Sequence, residues 1–195
     1  MGRPSNKEQL IERTLGVWLT QGFQGASVND LVAAAGVPKG SFYNHFSSKE
    51  RFAIEHVRRY VRTLNLDSLS GAEGPAVDVI RQHFGQHVSG REAAGMPPAC
   101  LLGTFSNGVS ESQPELLAAV RQGFAQWIDC VASVLSRARD AGEIDPGHDP
   151  EDLAAALVDG FQGAIARARV TCDSRPLDVF LSQTIQTLIC CNETH

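Results

Sequence analysis

The stretch PKGSFYNHFSSKE, residues 38–50, gathers side chains able to read or grip a polyanion. Asn44 offers the donor and acceptor pair that fits an adenine edge, and Lys39 and Ser41 suit base edges or phosphates. Tyr43 and His45 have the reach for phosphates. Phe42 and Phe46, four apart, share one helical face and give the stretch an apolar underside. Two further features carry chemistry. His83 and His87 are also four apart, but no third ligand accompanies them and no metal site is expected. Cys100, in PPACLLGTFS, falls in the first turn of an expected helix, where free backbone amides and the dipole favour a thiolate. No GxSxG, HExxH, Walker loop or GxGxxG occurs, so neither an enzyme nor a cofactor is expected. The competing readings are a thiol-dependent enzyme built on Cys100, with His83 or His87 as its base, and a helical interaction module that does not bind DNA.

The elements that must position these residues are helical almost throughout. Ser5 and Glu8 form a capping box ahead of Leu10, Ile11, Leu15, Trp18 and Leu19, and Gly22 stops this first helix. Ser27 caps a second, with Asp30 at its third position, Val28, Leu31 and Val32 on its apolar face and Gly36 at its end. Pro38 stands at the first position of a third helix that runs to about Asn44. Ser47 and Glu50 form another capping box and open a fourth, to about residue 63. Two short helices joined by AGVP and supported by a preceding one make a helix-turn-helix, whose second member lies in the DNA major groove. Ser27 and Lys49, at helix starts, are placed to meet phosphate. Charge agrees with this division. The chain is −5 overall, yet residues 1–62 hold nine Lys or Arg against five Asp or Glu, and the remainder holds eight against seventeen.

Residues 22–52, GFQGASVNDLVAAAGVPKGSFYNHFSSKERF, resemble the DNA-binding domain of the TetR family of bacterial regulators. The match runs through Gly22-Phe23, Ser27-Val28, Ala33 to Val37, Gly40-Ser41-Phe42-Tyr43, Phe46 and Ser48-Lys49-Glu50. The resemblance implies an all-α protein of about nine helices. Residues 1–48 would form the DNA-binding domain and 49–195 a ligand-binding and dimerisation domain, joined by the helix over about 48–63. It implies that Arg3, Ser27, Lys39, Gly40, Ser41, Tyr43, Asn44, His45 and Lys49 face a palindromic double-stranded operator.

The rest of the chain suits that plan. A loop over 68–75 is followed by a fifth helix from Ala76 to about Val88, a mobile loop over 90–98 and a sixth helix starting near Ala99. The seventh runs from Pro114 to about Ala141, the eighth starts at Asp149-Pro150, and Ser174 caps the ninth. The eighth is rich in Ala and Gly, a composition that lets helices approach closely and suits a homodimer seam with the ninth. A small-molecule effector is expected among the fourth to seventh helices, against His83, Phe84, His87, Cys100, Phe105, Phe124 and Trp127. The surroundings of Cys100 also resemble a cysteine-containing subgroup of the family that senses reactive electrophiles or oxidants, with Ala99 where such proteins often have Gly. Five cysteines without a CxxC pair argue against a disulfide framework or zinc finger. No run spans a bilayer and the N-terminus lacks a signal core, so the expected location is cytoplasmic, without membrane partners.

Overall fold

The computed structural model describes residues 5–93 and 99–190. These fold as α1 (Asn6–Arg13), α2 (Leu15–Gly25), α3 (Val28–Ala35), α4 (Lys39–His45), α5 (Lys49–Thr63), α6 (Leu66–Ser70), α7 (Ala76–Ala93), α8 (Leu101–Ser106), α9 (Pro114–Asp140), α10 (Pro150–Thr171), α11 (Arg175–Val179) and α12 (Ile185–Ile189). A π-helical turn over Phe180–Thr184 joins the last two, and no strand occurs among the described residues. The expected first helix divides at Thr14 into α1 and α2, and the expected ninth is α11, the π turn and α12. α6 is an additional short helix at the edge of the segment read as loop.

Local chemistry sets most boundaries. Ser5 and Glu8 form the capping box of α1, and Ser27 and Asp30 that of α3. Gly22 and Gly36, both at φ 69°, take the left-handed values that interrupt α2 and end α3. The caps differ from expectation in three places. Pro38 is the residue before α4 rather than its first. The α5 cap is Ser48, whose hydroxyl accepts from Arg51 N at 3.1 Å, while Glu50 instead accepts from Leu116 N. Ser174 precedes α11, but its hydroxyl donates to Asp178, and Asp173 accepts from Arg175 N.

The chain divides into two compact units. The first holds the residues up to Thr63 together with Cys100–Gly123, and the second holds Leu64–Ala99 together with the residues from Phe124 on. The helix expected to join the two domains, here α5, packs its apolar face on the helices before it. Phe52 is fully buried 4.6 Å from Phe46, 5.3 Å from Phe42 and 5.9 Å from Trp18, ring centre to ring centre. Phe105 of α8 closes this core against Trp18 and Phe23.

The second unit has its own core around Phe84, Trp127, Phe161 and Phe180, all buried, with Leu135, Leu157, Leu177 and Ile185 about them. Arg137 holds the end of α6 by donating to Ser70 O and Ala72 O, and Glu143 accepts from Ala76 N at the start of α7. Arg81 reaches Leu181 O, a carbonyl of the π turn, at 3.0 Å.

Gly123 of α9 marks a close approach within the first unit. A Cβ there would stand 2.8 Å from Leu102 Cδ2 and 3.0 Å from Val61 Cγ2. Ala normally improves a helix interior over Gly by about 1 kcal/mol. Here overpacking against buried Leu102 and half-buried Val61 outweighs that gain, so Gly123→Ala is expected to destabilise by about 1–2 kcal/mol in denaturant unfolding. A stabilised variant would contradict this packing.

Candidate nucleic-acid interface

α3 and α4 are joined by the tight turn that Gly36 allows, with Val37 N bonded back to Val32 O at 3.1 Å. α4 has only seven residues, and its position comes from burial of Phe42 and Phe46. Their burial turns Lys39, Gly40, Tyr43, Asn44 and His45 outward, all exposed, with Ser41 partly so. Tyr43 stands edge-on to Phe42 and remains 54% exposed, unusual for a large aromatic side chain. Six of the nine expected DNA-facing residues thus share one short helix.

Two residues join this surface that the sequence reading missed. Asn6 Nδ2 donates to Ser41 Oγ at 3.1 Å, and the Lys7 ammonium lies 6.0 Å from the centre of the Phe46 ring. Ser5 signals where α1 begins, but nothing in the sequence says that this end meets α4.

The remaining three stand differently. Arg3 lies outside the described residues. Ser27 is exposed, but its hydroxyl is engaged with Asp30: it donates to Oδ2 at 2.5 Å and accepts from the backbone N at 3.1 Å. The Ser27 hydroxyl and then its backbone amide hold the Asp30 carboxyl below its ordinary pKa. The anion favoured at this helix start is therefore already supplied by the protein. Lys49, expected on phosphate, turns inward instead. Its ammonium donates to Phe23 O at 2.8 Å and Ala26 O at 3.0 Å, and lies 4.5 Å from the centre of the Phe23 ring. Partial burial lowers its pKa.

Behind this surface sits a buried polar pair. Thr14 Oγ1 donates to Leu10 O at 2.7 Å and so has only lone pairs left for His56 Nε2, 2.9 Å away. His56 therefore carries its proton on Nε2. Burial, and then the nearby Arg59 charge, lower its pKa to about 3.

The expected effector residues are divided between the two units. His83, Phe84, His87 and Trp127 come together in the second unit with Phe161. Trp127 Nε1 donates to His83 Nε2 at 2.8 Å, which places the His83 proton on Nδ1. Burial, then the neighbouring His87, lower the His83 pKa to about 3. Phe124 is half-buried, while Phe105 belongs to the core of the first unit. Cys100 is 2% exposed and precedes α8 rather than lying in its first turn, with extended φ and ψ. Among the described residues, no three His, Cys, Asp or Glu side chains cluster as a metal site. A hollow of about 230 Å³ in the second unit is lined elsewhere, by Ala72, Gly74, Val134, Arg137 and Glu143 among others.

The chain matches two family models. Residues 10–55 match bacterial regulatory proteins of the tetR family, and residues 76–184 match the tetracyclin repressor-like C-terminal domain. It is 32% identical to the HTH-type transcriptional repressor DhaR of Mycobacterium sp. (strain GP1), over 97% of this chain and 95% of that one. The reduced form of E. coli NemR superposes with a TM-score of 0.80 at 26% identity, over 97% of this chain and 99% of that one. A TetR regulatory protein from Rhodobacter sphaeroides superposes at 0.81 and 27%, over 93% and 97%.

His56 and His83 make folding pH-dependent. Each is held neutral at a pKa of about 3, against an ordinary 6.5. The unfolded chain binds more protons between these values, so the stability present above about pH 6.5 is lost as pH falls toward 3. His56→Gln removes one of the two groups and is expected to show a smaller loss of thermal stability between pH 7 and pH 4.5 than the wild type. Equal losses would mean that His56 is not a buried neutral imidazole.

Proposed function

The chain belongs to the tetR family of bacterial regulatory proteins, and we propose that it is a homodimeric repressor released from a palindromic operator by a small molecule. The observation that carries this reading is the sidedness of α4, with Phe42 and Phe46 buried beneath and Lys39, Tyr43, Asn44 and His45 presented above. A helix so held enters the major groove with Lys39, Ser41 and Asn44 toward base edges and Tyr43 and His45 toward the backbone. The small residues of α10, among them Ala155, Ala156, Gly163 and Ala166, support pairing of two copies through α10 and the α11–α12 segment. A two-fold axis there would set two reading heads about 34–36 Å apart, one turn of duplex. The aromatic group around His83 and Trp127 supports an effector site in the second unit, where His83 Nδ1–H is a donor for a polar ligand atom. The relatives are transcriptional regulators rather than enzymes. Among the described residues no helix is long and apolar enough to cross a membrane, and the reading places the protein with DNA in the cytoplasm.

Binding of full-length protein to its own promoter region, followed by footprinting, tests the operator. Asn44→Ala should relax the preference for one base pair in each half-site by about tenfold while preserving binding to unrelated duplex. A uniform loss across all sequences would assign Asn44 to the backbone.

Burial also decides which thiol reacts first. An alkylating probe is expected to label exposed Cys172 well before Cys100, with Cys130 and Cys190 between them. If Cys100 is labelled first, and the labelled protein but not Cys100→Ser leaves the operator, the effector is an electrophile at Cys100 and not a reversible ligand.

A further inference from the structure

The turn between α2 and α3 has a shortage of donors. In a continuing helix, Phe23 O and Ala26 O would accept from the amides four residues on, at Ser27 and Asp30. The α3 capping box takes both amides: Ser27 N donates to Asp30 Oδ2 at 2.8 Å and Asp30 N donates to Ser27 Oγ. Phe23 and Ala26 are buried, so their carbonyls need partners from the protein. Lys49 Nζ supplies both, with the Phe23 ring beneath it. Two turns along α5, on the same face, His56 bonds Thr14 at the junction of α1 and α2. Phe52 lies between the two on the fully buried seam. An aromatic contact adheres over a range of sliding and rotation, whereas two directed hydrogen-bonded clamps about 10 Å apart fix both.

We propose that Lys49 is a positioning residue and not a phosphate ligand. It completes the α2–α3 turn and, with His56, sets the angle at which α3 and α4 ride on α5. This rests on the operator reading above for its consequence, but not for its geometry. An ammonium drawn out to DNA would abandon two buried carbonyls, so the clamp is expected to persist in the bound state.

The test compares wild type, Lys49→Met and Lys49→Arg as full-length protein on operator duplex over a salt series. Lys49→Met is expected to weaken binding about tenfold at every salt concentration, with the slope of log affinity against log salt unchanged. Lys49→Arg keeps the charge and the donors and should restore binding to within about threefold of wild type. A slope shallower by about 0.9 for each subunit in Lys49→Met would make Lys49 a phosphate contact and overturn the proposal. So would a lower unfolding temperature with operator affinity unchanged, which is the signature of packing alone.

Two measurements do not need DNA binding by a variant. Without DNA, the amides of Ser27, Asp30 and Leu31 should exchange faster in Lys49→Met than in wild type, and unchanged exchange refutes the clamp. In the wild type, the NMR signal of the Lys49 ammonium should be the same with and without duplex, and movement on adding duplex refutes its retention. If wild type binds no duplex, the operator reading fails while the exchange measurement still judges Lys49.

Discussion

Seven residues are too few to hold a helix in water, so the whole exposed face of α4 depends on what two phenylalanines bury. Phe42 and Phe46 lie on Phe52, and Phe52 lies on Trp18, which makes α4 the outer layer of an aromatic stack begun in α2 and α5. The polar groups of the first unit serve that stack. Ser27, Asp30, Lys49, Thr14 and His56 are engaged with each other or with backbone carbonyls. Lys39, Tyr43, Asn44 and His45 stay exposed on α4, with Asn6 and Lys7 of α1 beside it.

The second unit is built on similar chemistry to another end. Its aromatic core contains one fully specified polar contact, from Trp127 Nε1 to His83 Nε2. A buried imidazole of known tautomer is a fixed donor in an otherwise apolar setting. In the effector site proposed above, it would orient a ligand by one bond while apolar area supplies the rest of the binding. His87 beside it adds a second imidazole that is less buried.

Much of this was legible in the sequence wherever the signal is local. Capping boxes at Ser5 and Ser27, glycine stops at Gly22 and Gly36, and the Phe42–Phe46 spacing act within a few residues, and each appears in place. The Ser47 box was misread by one residue because Ser48 is an equally good cap, and Glu50 had a distant partner in Leu116. The inward turn of Lys49 shows the larger limit. Charge at a helix start looks the same on paper whether it faces solvent or two carbonyls twenty-odd residues back. Phe105 was placed with the effector for a related reason: its burial in the first unit is decided by partners, Trp18 and Phe23, that no local pattern names.

The π turn at Phe180–Thr184 has a consequence for how this chain can change length. Each residue of a regular α-helix advances the side chains by about 100°, but a π turn holds one residue more than an α turn. One residue removed between Phe180 and Thr184 is therefore taken up by closing the turn: the carbonyl that Arg81 holds at Leu181 is drawn into a regular ladder, while Ile185 and Ile189 keep their buried facing. The wide turn is a residue held in reserve between α11 and α12. A deletion of a single codon within a regular helix such as α10 has no such reserve and resets the facing of everything that follows in that helix.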